Sequence, residues 1–233
     1  MRFFWIFTIP ILLGLACSKG TEVDQTNDTS DLHGVHFVAI DVNNNLKDVF
    51  YRDTTLGDGS DGMVYEEIGI TADWYMYVVY SMNPWQALYM LKTGEVVSGE
   101  LTWSDGYVDG YSTVEGDDYS VSEEIDNCSA QAWYLQSAFQ GLPFHDEDWY
   151  FQFDMITPEL EIYAYEAEFM GTHLVNICDQ DFDCYKLDID GQGMIGVFAP
   201  DVEVYYRVEE PHIPIRCWVQ EKGIVFEYYS DSI

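Results

Sequence analysis

The sequence predicts an all-β protein, an antiparallel barrel or sandwich interrupted by one short mid-chain helix. Three observations carry this expectation. Runs of β-branched and aromatic residues recur along the chain, with Gly, Pro, Asn and Asp turn signals about every 8–12 residues. Within the runs, apolar residues alternate at the period of two that puts one strand face in a core, as Trp74, Met76, Val78 and Tyr80 do. A single segment has helical spacing: Leu135, Ala138, Phe139 and Leu142 fall at i, i+3, i+4 and i+7.

Taken in order, Gly34 to Asp41 alternates as a strand, and Asn43-Asn44-Asn45 turns the chain into a returning strand from Leu46 to Arg52. A loop at 57–62 (GDGSDG) leads to strands from Met63 to Ile70 and from Ala72 to Ser81. Asn83-Pro84 breaks the pattern, because proline cannot donate to a sheet ladder. Gln86 to Leu91 and Glu95 to Trp103 then pair around Lys92-Thr93-Gly94, and Ser104 to Asp118 reads as short strands between Gly- and Asp-rich turns. The helix is expected over 129–140, capped by Asn127 and stopped by Gly141 and Pro143. Seven further strands are expected: Trp149 to Met155, Leu160 to Phe169, Thr172 to Cys178, Tyr185 to Ile189, Met194 to Phe198, Val202 to Val208 and Ile215 to Val219. Ile224 to Tyr229 closes the series. About 200 residues suffice for one such domain, here 32–233. The acidic stretch over 115–128 is the natural boundary if there are two.

The chain carries 42 Asp and Glu against 9 Lys and Arg, a formal charge of −33. That balance argues against nucleic-acid binding, which requires cations to neutralise phosphates. It also argues against adhesion of the folded surface to anionic lipid. With 48% hydrophobic and 16% aromatic residues the chain is too apolar to remain unfolded.

The first 17 residues, MRFFWIFTIPILLGLAC, have one basic residue, an apolar run too short to span a bilayer, and a small residue before a cysteine. This resembles the leader of bacterial lipoproteins, on Ala16 and Cys17. The resemblance implies removal of 1–16, lipidation of Cys17 and a lipid-anchored place in the cell envelope. Ser18 after the cysteine points to the outer membrane. Residues 17–31 (CSKGTEVDQTNDTSD) read as a flexible tether with a mean reach of roughly 20 Å.

Four cysteines then remain, an even number in an exported chain, which predicts two disulfides. Cys178–Cys184 suits a hairpin end, and Cys128–Cys217 follows by elimination. Asp179, Asp181 and Asp183 have a spacing that can supply several oxygens to calcium, although the loop departs from an EF-hand at Cys184 and Asp190. Calcium is the one cofactor the sequence suggests. His145-Asp146-Glu147-Asp148 combines an imidazole with carboxylates, and His33 and His36 lie near a strand start; both read as exposed polar positions rather than metal sites.

Leu32-x-Gly34-x-His36 resembles the L-x-G-x-W opening of lipocalin-like barrels, with His36 in place of the tryptophan. The resemblance implies an up-and-down barrel with an apolar ligand cavity. No G-x-S-x-G, H-E-x-x-H or phosphate-loop motif occurs. The functional expectation is an exported, lipid-anchored binding or envelope-surface structural protein, whose partner is the membrane through its lipid and an apolar small molecule or glycan. The alternative is a secreted hydrolase using a carboxylate pair.

Overall fold

The computed structural model describes residues 32–231, apart from 83–84, 126–127, 143, 145–149, 194–195, 197 and 221. The leader, Cys17, the tether, the caps proposed at Asn127 and Pro143 and the acidic run from His145 therefore lie outside the described residues.

Fifteen strands form one sheet. The first eight are β1 (His36–Ile40), β2 (Leu46–Thr55), β3 (Asp61–Gly69), β4 (Trp74–Met82), β5 (Trp85–Gly94), β6 (Val97–Ser104), β7 (Tyr107–Val114) and β8 (Asp117–Glu124). The next seven are β9 (Ser129–Gln131), β10 (Tyr150–Ile156), β11 (Ile162–Ile177), β12 (Gln180–Gly191), β13 (Val202–Arg207), β14 (Pro214–Val219) and β15 (Gly223–Asp231). Their order in space is β8-β7-β6-β5-β4-β3-β2-β1-β15-β14-β13-β12-β11-β10-β9. All neighbours are antiparallel except the β9–β10 pair. The chain thus lays down two meandering arms, β1–β8 and β9–β15, and its first and last strands pair at the middle of the sheet.

Local chemistry explains the turns. Between β1 and β2, the Asp41 carboxylate accepts from the backbone N–H groups of Asn43 and Asn45 at 2.8 and 2.9 Å, closing an Asx turn. The two-residue loops Asp105-Gly106 and Glu115-Gly116 have both residues at positive φ, the mirror-image turn that matches strand twist. Cys178-Asp179 closes the β11–β12 hairpin in the same way.

The inward face is continuous and largely apolar. Tyr65, Val78, Met90 and Leu101 in the first arm are fully buried, as are Ala167, Leu187, Val204 and Cys217 in the second. Between β9 and β10 a single turn of 3₁₀-helix (Ala132–Tyr134) runs into α1 (Leu135–Ala138). This helical segment fills the hollow of the curved sheet. Tyr51 Oη donates to Gln140 Oε1 at 2.7 Å, Gln140 Nε2 donates to the His212 carbonyl at 3.1 Å, and the Tyr80 and Ser137 hydroxyls lie 2.7 Å apart. Both arms are tied to it. Trp103 Nε1 also donates to Ser129 Oγ at 2.7 Å, and Ser112 Oγ to the Pro158 carbonyl at 2.6 Å, so the outer strands of the first arm meet the start of the second.

The helix is shorter than its apolar spacing suggests. Residues 129–131, expected to open it, pair instead with β10 as the edge strand β9. Gln136 and Ser137 in it and Gln140 just after it are buried along with Leu135 and Phe139. The two strands expected on either side of Gly171 are one, β11, with a register shift between Phe169 and Thr172. Most of the acidic stretch after Glu115 forms β8, an outer strand of the same sheet, whose charged, largely exposed side chains discourage pairing with another chain.

Candidate functional site

A cavity of about 740 Å³ opens beside the helical segment, within the size range of small-molecule sites. The first arm builds its polar wall. Tyr65 and Glu67 alternate onto the inward face of β3, and Lys47 lies diagonally across on β2, where it pairs with Gly69. Lys47 Nζ is 2.9 Å from Glu67 Oε2, and these residues are only 5% and 1% exposed. Tyr65 Oη donates to Glu67 Oε1, and Gln136 Nε2 donates to the same oxygen at 2.6 Å. The one carboxylate buried among the described residues therefore has both oxygens engaged. Burial and the Glu67 charge hold the Tyr65 hydroxyl in its neutral form, well above its ordinary pKa.

Lys92 continues this row. Glu67 pairs with Met76 on β4, and Met76 with Lys92 on β5. A bulge decides that Lys92 points inward. Val79 pairs with Tyr89 but Tyr80 with Ala87, so one extra β5 residue reverses the alternation between Ala87 and Met90. Lys92 Nζ lies 5.4 Å from the Trp74 ring centre and 5.2 Å from that of Trp133, within cation–π range of both. Lys47 Nζ lies 5.2 Å from Trp74 and 4.6 Å from Phe226. Among the described residues no carboxylate forms an ion pair with Lys92. Burial, assisted by the Lys47 charge and opposed by Glu67, pulls its amine down to about 8.

Three glycines make room for these side chains. Gly69, Gly94 and Gly99 are the cross-strand partners of Lys47, Trp74 and Lys92. A Cβ on Gly99 would lie 3.0 Å from Trp133 Cη2 and 2.8 Å from the Tyr111 carbonyl, and one on Gly69 would lie 3.0 Å from Trp74 Cδ1. The second arm supplies the apolar wall, with Met155, Tyr165, Val202, Val219 and Val225, while Leu135 comes from α1. Exposed Asp73, Glu95 and Glu159 stand at the rim.

The residues singled out from the sequence are elsewhere. The expected disulfides are absent: Cys128, Cys178, Cys184 and Cys217 are all free. Cys178 sits at the exposed hairpin tip, while Cys184 pairs with His173, four residues up β12 from Gln180, or roughly 13 Å along the strand at ~3.3 Å per residue. A disulfide needs Cα atoms within about 7 Å. Burial raises the thiols of Cys184 and Cys217 to about 12 and that of Cys128 to about 11.

Asp179, Asp181 and Asp183, the residues expected to bind calcium, lie at the β11–β12 hairpin. Asp179 is in the turn, whereas Asp181 and Asp183 project from successive outward positions of β12, with Cα atoms about 7 Å apart. Asp181 accepts from Asn176 Nδ2 at 2.7 Å. Among the described residues no group of three His, Cys, Asp or Glu side chains is arranged to hold a metal. His33 and His36 each contact one aspartate, Asp53 at 2.7 Å and Asp48 at 2.9 Å.

Sequence reasoning passed over Lys47, Glu67, Lys92, Trp133 and Gln136. A signal was present: cations are scarce, yet Lys47 and Lys92 interrupt apolar strands, and Lys222 joins them at the same cavity. No protein-family model, curated protein or solved structure matches the chain.

Proposed function

We propose that this is an exported binding protein, anchored to the cell envelope through a lipid on Cys17, that holds an apolar small molecule in the cavity between its two arms. The cavity carries the reading: it combines an apolar wall with a few inward polar groups, the usual composition of a small-molecule site. Hydrolysis is less well supported, because the buried Glu67 carboxylate is committed to Lys47, Tyr65 and Gln136, while Asp73, Glu95 and Glu159 stand exposed at the rim. The excess of negative charge supports a partner other than nucleic acid.

Titration with the neutral fluorophore N-phenyl-1-naphthylamine tests the cavity. Saturable binding should occur at one site and be lost in Ala72→Trp, which places an indole at the mouth, with the melting temperature unchanged. Binding that survives this substitution, or that never saturates, overturns the reading. Displacement by oligosaccharides but not by apolar compounds would make the ligand a glycan. The anchor is tested separately: Cys17→Ser should leave the membrane fraction, and full retention there would remove the lipid.

A further inference from the structure

We infer that the cavity selects an organic monoanion, a carboxylate on an apolar or aromatic body, and that Lys92 is the residue that receives its charge. The inference rests on the binding reading above and names its ligand class. Among the described residues three charged side chains reach the interior. Lys47 and Glu67 neutralise each other at 2.9 Å, which leaves Lys92 with no carboxylate of its own among the described residues. Trp74 and Trp133 flank its ammonium, and these ring faces stabilise the cation without occupying its hydrogen-bond donors. A carboxylate entering from the cavity would complete those donors with charge-assisted hydrogen bonds.

The remaining lining sets the other limits. Met155, Val202, Val219 and Val225 offer no partner to a second charge and suit an apolar body. The rim carboxylates Asp41, Asp73, Glu95 and Glu159 repel multiply charged anions more strongly than a monoanion. Lys222 is exposed at the rim and provides the only opposing charge there among the described residues. A fully paired interior would favour a neutral ligand, and a second free lysine would favour a dianion.

The groups facing Lys92 fix the pH dependence. Lys47 on β2 and Glu67 on β3 are the charges nearest it, and the rim groups named above face it across the cavity. Burial brings the free amine down to about 8. A bound carboxylate favours the protonated form, so binding is strongest where Lys92 is already charged. Affinity should be constant between about pH 6 and pH 8, where the ligand carboxylate and Lys92 are both charged, and fall up to tenfold per pH unit above it.

The test uses three probes of one shape, 1-pyrenebutyrate, its methyl ester and 1-pyrenebutylamine, with the full chain and with Lys92→Gln and Lys92→Arg. The acid should bind at least tenfold more tightly than the ester, and the amine more weakly than either. Lys92→Gln should abolish the acid's advantage over the ester, and Lys92→Arg should keep it and remove the decline above pH 8. Equal binding of acid and ester, or an advantage that persists in Lys92→Gln, overturns the inference while the cavity reading stands. Failure of all three probes, together with N-phenyl-1-naphthylamine, overturns both.

Discussion

The two arms of the sheet share one inward surface but solve different problems. The second arm, β9–β15, is packed by apolar contact: Leu187, Ile189, Val204 and Ile215 are fully buried and ask nothing of their neighbours but shape. The first arm buries charge. Its Lys47–Glu67 pair is held by Tyr65 and Gln136, and Lys92 stands beside it with no carboxylate paired to it among the described residues. Dehydrating ions costs several kcal/mol each, which a mutual contact only partly offsets. The first arm therefore gives up stability where the second gains it. The difference suggests that the polar wall is kept for recognition, with the apolar wall carrying more of the fold.

The sharpest way to break this contrast is Glu67→Ala. It strands Lys47 in an apolar surrounding and should cost about 3–5 kcal/mol in urea unfolding. The double replacement Lys47→Met with Glu67→Leu should recover most of that loss. If the double variant is as unstable as the single one, the pair is a net stabiliser and the contrast between the arms fails.

Leu187→Ala is the matching cut in the second arm. It should cost about 3 kcal/mol through lost burial and a cavity. No second substitution elsewhere should rescue it, since no charge is left unpaired. A loss below about 1 kcal/mol would mean that this arm is loosely packed.

A smaller, pH-dependent effect is expected from Lys92→Met. The folded state lowers the Lys92 amine from 10.5 to about 8, so below pH 8 both states are protonated and the folded state bears the full cost of burying the charge. Between pH 8 and 10.5 the unfolded chain binds more protons, and the cost fades as pH rises. Lys92→Met should therefore be more stable than the parent at pH 7, with a gain that shrinks from pH 8 upward. A gain independent of pH would assign it to packing rather than charge.

The smallest effect concerns Cys128, Cys178, Cys184 and Cys217, which lie in the second arm or, for Cys128, directly before it. Thiol labelling of the folded protein at pH 8 should modify Cys178 at the hairpin tip and change the unfolding free energy by less than about 0.5 kcal/mol. Cys184 and Cys217, buried and held protonated, should react only after unfolding. Absence of labelling even in denaturant would restore the disulfides.

Much of the fold was legible because it depends on local chemistry. The alternation of Trp74, Met76, Val78 and Tyr80 is a property of one strand, and the structure packs that row against the core. The Asp105-Gly106 turn is set by its own backbone preferences, and the stripe of Leu135, Phe139 and Leu142 is buried as its spacing requires. The site depended on more distant relations. The pairing of β1 with β15 joins the two ends of the chain, and no local pattern specifies it. Trp74 and Trp133 meet over Lys92 because the sheet curls until the helical segment fills its hollow. Lys92 itself faces inward only because one extra residue in β5 reverses the alternation, and a sequence read at a strict period of two would place it outside. Composition and periodicity determined that the chain would be a β protein with an apolar interior. Which charges that interior would enclose was decided by register and curvature, since a strand's neighbours, and not its own residues, determine which of its two faces is buried and what lies opposite.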